Sequence, residues 1–147
     1  MKFNKKRIIS LLSAVAMMVV TPLSVAAYQV SSTGALPLGT LTSMHGYLYR
    51  SDSSSYSFNA ETTIGSNPYK DASLFVSVTV TPYNTSSFDV EYEEKSTTNS
   101  TYVAVTSPSA STLNATSASG SHSATIYNGT QSWGNSGGTS WSKSTGN

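Results

Sequence analysis

Apolar and polar residues alternate with a period of two along most of the chain. In SYSFNAETTI, Tyr56, Phe58, Ala60, Thr62 and Ile64 share one parity, while Ser57, Asn59, Glu61 and Thr63 take the other. In SLFVSVTVT, Leu74, Val76, Val78 and Val80 alternate with Phe75, Ser77, Thr79 and Thr81. In FDVEYEE, Phe88, Val90 and Tyr92 alternate with Asp89, Glu91 and Glu93. Each run predicts a half-buried antiparallel strand, apolar side inward and polar side outward. GYLYRS, STYVAVTS and SHSATIY continue the pattern less strictly.

Turn-forming residues separate the runs: Gly65-Ser66-Asn67-Pro68, Pro82-Tyr83-Asn84, Asn99, Pro108 and Asn128-Gly129. Asn128-Gly129 is the best two-residue hairpin, because both central positions of a type I′ turn need φ > 0. Helical apolar periodicity is missing from residue 28 onward, and the abundance of Thr and Val suits strands. The pattern predicts an all-β, single-domain antiparallel β-sandwich, or a small barrel, of about seven strands. Residues 28–42 and 107–121 fit it least well and are expected as loop or edge.

The first residues read differently. Lys2, Lys5, Lys6 and Arg7 precede an apolar run from Ile8 to Val20, then Pro22 and the small residues of Val25-Ala26-Ala27. This is the plan of a secretory signal peptide over residues 1–27, with cleavage expected after Ala27. An apolar helix of that length spans only about 20 Å, too short for a ~30 Å hydrocarbon core. No Cys follows the run to take a lipid, and no sorting signal is read at the C-terminus. A secreted product, released or held non-covalently at the envelope of a Gram-positive bacterium, is expected, without a stable membrane anchor.

Cleavage changes the charge balance. Residues 28–147 keep Arg50, Lys70, Lys95 and Lys143 against seven carboxylates, a net of −3. No basic patch remains to hold a phosphate backbone, so nucleic acid is not an expected partner. The 120 remaining residues suffice for one core, and with no Cys that core rests on packing alone.

Candidate chemistry is sparse. Asp89, Glu91, Glu93 and Glu94 cluster on one strand, where i and i+2 lie about 6.6 Å apart. That separation falls between the two glycosidase geometries, but the bland reading is a solvated edge face that discourages edge pairing. Calcium needs six to eight oxygens, more than one strand supplies. His45 and His122 are the only histidines and leave a zinc site incomplete. His122 shares parity with Ala124 and Ile126 and is expected at the edge of the core, bonded to a backbone carbonyl. No cofactor or metal is expected.

The aromatic residues say more. Nine Tyr and two Trp accompany four Phe, and Tyr and Trp suit surfaces where a ring packs while its polar group stays wet. Trp133 and Trp141 are candidates for a stacking platform for sugar rings or peptide, or else close one end of the sandwich. Tyr47 and Tyr49 flank Leu48 with the opposite parity, so they form a second candidate binding pair. The partners these residues would suit are cell-wall polysaccharide, peptidoglycan or a surface protein.

Two short stretches resemble known families. GNSGG around Ser136 and LTSMHG around His45, with Asp89 between them, resemble the His, Asp, Ser order of chymotrypsin-like serine proteases. The likeness implies His45 as general base, Asp89 as its orienter and Ser136 as nucleophile. It covers about ten residues; that family needs two barrels, and only eleven residues follow Ser136 here. SHSATIYNGTQSWGNSGGTSWSKS resembles the end of lactococcin 972-type bacteriocins in its His-Ser pair, Gly turn and later Trp. That likeness implies a small secreted β-sandwich acting against bacteria at the envelope. The reading that best joins these features is a secreted, non-catalytic binding or envelope-associated module. The bacteriocin-like role is its alternative, and a small hydrolase using Ser136 or the Glu91/Glu93 face comes third.

Overall fold

The computed structural model describes residues 27–40, 42–51, 57–65, 71–82, 90–107 and 115–143. The expected signal peptide, apart from Ala27, lies outside the described residues, as do Phe88 and Asp89. Among the described residues the chain is all-β. Eight strands run in order: β1 (Ala27–Leu38), β2 (Thr42–Ser51), β3 (Phe58–Ile64), β4 (Asp71–Pro82), β5 (Glu91–Thr98), β6 (Tyr102–Thr106), β7 (Ala115–Tyr127) and β8 (Ser132–Ser142).

They form two four-stranded antiparallel sheets, ordered β1-β2-β3-β6 and β5-β4-β7-β8. The sheets pack face to face as a β-sandwich, with β1 against β8, β2 against β7, β3 against β4 and β6 against β5. The inward parities of the strands meet in the core. Leu38, Met44, Leu48, Phe58, Ala60 and Ile64 come from the first sheet, and Leu74, Val76, Val78, Val80 and Ile126 from the second. For β3 and β4 the inward residues follow the predicted alternation, although Ser77 on the outward parity of β4 is buried as well and Tyr56 lies outside the described residues.

Of the two segments expected as loop or edge, the first supplies an eighth strand, β1, at the edge of the first sheet. Two expectations are corrected. Residues 115–121, expected as loop or edge, are the first half of β7, which lies inside the second sheet between β4 and β8. Its inward residues there, Ala118 and Gly120, are small, and at Gly120 a Cβ would stand 2.6 Å from Thr139 Oγ1 and 2.8 Å from His122 Nε2.

The second correction concerns β5, whose parity is reversed. Val90 and Tyr92 are each 53 % exposed, and Glu91 and Glu93 sit opposite the inward-facing Val80 and Val78. β5 is an edge strand facing the five-residue β6, so its inward side has little to bury against. Inward-pointing charges on such an edge block pairing with another chain.

Asn128-Gly129 does turn a hairpin, but in four residues, with Tyr127 paired to Ser132. Only Gly129 has positive φ, at 98°. Asn128 Oδ1 accepts hydrogen bonds from the backbone N–H groups of Thr130 (2.9 Å) and Gln131 (2.8 Å), an Asx turn that replaces the I′ geometry.

Candidate functional site

The outward parity of β2 carries His45, Tyr47 and Tyr49, because Met44, Gly46 and Leu48 are taken into the core. On a strand, i and i+2 share a face, so the three rings form a row. His45 and Tyr47 lie 6.0 Å apart with planes 4° from parallel. Tyr47 and Tyr49 are also 6.0 Å apart, tilted by 38°. Cross-strand pairing sets Thr63, Glu61 and Asn59 of β3 beside them, and Tyr102, Ala104 and Thr106 of β6 beyond.

Glu61 sits among these rings. The Tyr102 hydroxyl donates to its Oε1 at 3.0 Å. Burial, then the Glu61 charge, pushes the Tyr102 phenol up to about 12. The same two causes raise Tyr49 above its usual value, with a smaller effect from Tyr47. Four rings and one carboxylate thus share an open sheet face, and Tyr102 is 49 % exposed. Tyr47 and Tyr49 were legible in the sequence as a pair of opposite parity to Leu48. Tyr102 and Glu61 were not, because their place beside that pair depends on the β2-β3-β6 register.

Trp133 and Trp141 lie elsewhere. Both take the inward parity of β8, partly buried against the core. Eight residues apart on one strand, they are separated by roughly 27 Å and form no common platform. Trp133 packs beneath Gly39, where an added Cβ would lie 3.2 Å from its ring. Trp141 packs on Phe58 at 5.1 Å, with the Arg50 guanidinium 4.9 Å over its face. Each closes a different end of the sandwich.

The protease-like residues are dispersed. His45 points out of the first sheet, where its Nε2 lies 3.2 Å from Ser43 Oγ. Ser136 has the outward parity of the second sheet, on the opposite face of a sandwich whose layers are about 10 Å apart. Asp89 lies outside the described residues. Gly137 serves packing, since a Cβ there would stand 2.8 Å from Leu36 Cδ1. Ser136 belongs instead to a hydroxyl-covered outer face, with Ser119, Ser121 and Ser123 of β7 and Ser140 of β8.

His122, expected at the core edge, is at its centre and 0 % exposed. The Thr62 hydroxyl donates to the Phe75 carbonyl at 2.9 Å. Its oxygen can then only accept from His122 Nδ1, 3.0 Å away. Nε2 is left to accept from the Thr139 hydroxyl at 2.9 Å. The ring fits because Gly46 and Gly120 have no side chains: a Cβ on Gly46 would run into the imidazole, and one on Gly120 would lie 2.8 Å from Nε2. Burial pulls the His122 pKa down to about 4, partly offset by a hydrogen bond to the Glu61 backbone. It is a neutral structural group with no route to solvent.

The carboxylates of β5 gather no ligand set. Among the described residues no group of three His, Cys, Asp or Glu side chains could hold a metal ion. Glu94 accepts a hydrogen bond from the Tyr92 hydroxyl on the outer face, while Glu91 and Glu93 point to the other side. No family model, curated protein or solved structure matches this chain.

Proposed function

We propose that this chain is a secreted, non-catalytic binding protein that attaches to a cell-envelope polymer through the outer face of its first sheet. The observation that carries the reading is the row of His45, Tyr47 and Tyr49 at 6.0 Å intervals, flanked by the Tyr102–Glu61 pair. A folded domain gains nothing in its own core from rings left on an outer face, whereas such rings give a ligand flat apolar area with polar groups at the rim. The expected secretory leader agrees with action outside the cell.

The test is retention of the purified protein on peptidoglycan and on insoluble cell-wall polysaccharides. Wild-type protein is expected in the pellet, and a Tyr47→Ala/Tyr49→Ala variant with an unchanged β-sheet circular dichroism spectrum in the supernatant. Equal retention of both, or of neither on any polymer, refutes the reading.

A further inference from the structure

The charges of the first sheet are few and unevenly placed. Its four strands contain two charged side chains, Arg50 and Glu61. Arg50 has the inward parity of β2 and lies over Trp141, on the other side of the sheet from the row of rings. Among the described residues no cationic side chain is ion-paired with Glu61. Its hydrogen-bond partner is the Tyr102 hydroxyl, a neutral group. The carboxylate therefore stands uncompensated among four rings, with Tyr47 directly across the strand pair from it.

We propose that this face binds a small ammonium headgroup, seated against the rings of Tyr47, Tyr49 and Tyr102 with Glu61 as its counter-ion. The inference rests on the envelope-binding reading above and gives that ligand its chemistry: an ammonium group carried on the polymer. Aromatic faces attract cations within about 6 Å of the ring centroid, and with neighbouring rings 6.0 Å apart one cation on the patch falls within reach of more than one ring. The negative charge of Glu61 is felt across the patch, as it holds back ionisation of both Tyr49 and Tyr102. A neutral sugar would gain stacking and hydroxyl hydrogen bonds to the carboxylate, whereas an ammonium gains charge pairing as well, so the charge favours a cation.

Size selects a headgroup over a protein. Three rungs across four strands cover roughly 200 Å² at ~6.8 Å and ~4.8 Å spacings. A stable protein partner needs about 800 Å² on each side. Small neighbours flank the Tyr47 rung, with Ser32 on β1 and Ala104 on β6, while Gln29 and Thr106 border the Tyr49 rung.

The probe is choline chloride, compared with its uncharged isostere 3,3-dimethylbutan-1-ol, followed by the ring resonances of the tyrosines in the wild-type protein. Choline is expected to bind at least fivefold more tightly than the alcohol, with shifts at Tyr47, Tyr49 and Tyr102. Glu61→Gln, which keeps the shape, is expected to abolish that preference. Equal affinities in the wild type overturn the proposal without recourse to any variant. So does a Glu61→Gln protein that keeps the full preference, or tighter binding of an Nα-acetyl-lysine amide than of choline, which would point to a protein partner. Tyr47/Tyr49-dependent retention on a polymer without choline binding overturns the ammonium assignment alone. Loss of both overturns the envelope reading as well.

Discussion

Acidification should destabilise this protein through one residue, and the size of the effect follows from where that residue sits. His122 is neutral in the folded chain, with a pKa of about 4 against 6.5 in the unfolded state. Between those values the unfolded chain holds a proton that the folded chain refuses, so stability rises with pH across the window. The contribution is complete above pH 6.5 and lost as pH falls toward 4. A difference from 6.5 to about 4 corresponds to about 3 kcal/mol, or roughly 10 °C in Tm for a domain of this size. Glu91 works weakly against the trend: burial raises its pKa, so its share is present at low pH and lost as pH rises. Urea unfolding of wild type and of His122→Leu at half-unit steps from pH 7 to pH 4 separates the two. The wild type should lose about 3 kcal/mol more than the variant over that range. Parallel curves would show that His122 is not the buried neutral group described here.

Gly46→Ala and Gly120→Ala should each cost about 1–3 kcal/mol, the range for overpacking a filled core, because the new methyl meets the His122 ring or stands 2.6 Å from Thr139 Oγ1. Gly138→Ala, whose nearest neighbour would be 3.7 Å away, should be neutral or slightly stabilising; chemical denaturation distinguishes the three. Alkaline titration followed by phenolate absorbance should show one tyrosine ionising near pH 12, as burial and Glu61 require of Tyr102. Glu61→Gln should move that step part of the way back toward 10, and an unmoved step would mean that Glu61 does not act on this ring.

The sequence carried the fold wherever inward positions were occupied by large apolar side chains. The inward parity of β3 and β4 was legible, since Phe58, Ile64, Leu74, Val76, Val78 and Val80 mark it without ambiguity. It failed where size or solvent broke the link between apolar and inward. The first half of β7 puts Ala118 and Gly120 inside, residues too small to register as a core stripe. β5 puts Tyr92 outside and Glu91 inside because an edge strand answers to protection from pairing as well as to burial. The candidate site divides in the same way. Opposite parity to Leu48 revealed Tyr47 and Tyr49, but joining Glu61 and Tyr102 to them required the pairing of β2 with β3 and β6, which periodicity does not encode. For Trp133 and Trp141 the sequence left two readings, a binding platform or packing that closes the sandwich, because residue type alone does not say which face of a strand a ring takes.

The polar seam at the centre answers a difficulty that the alternation itself creates. A chain of interchangeable Val, Ser, Thr and Ala at period two fixes which face of each strand is buried. It does not fix how far one sheet is shifted along the other, because a slip of two residues keeps every parity. His122 removes that freedom. Its ring reaches across the interior to the first sheet, where it needs the hydroxyl of Thr62 and the absent side chain of Gly46. Moving β7 by two residues against β2 would set the imidazole against Met44 or Leu48, the neighbouring inward positions, and part it from Thr62. A buried ring nitrogen without its partner costs about 1–3 kcal/mol, in addition to the clash. One register therefore satisfies the seam among several that satisfy the oily core. Gly46 and Thr62 are partners across β2 and β3, so the alignment that seats His122 is also the one that sets Glu61 opposite Tyr47.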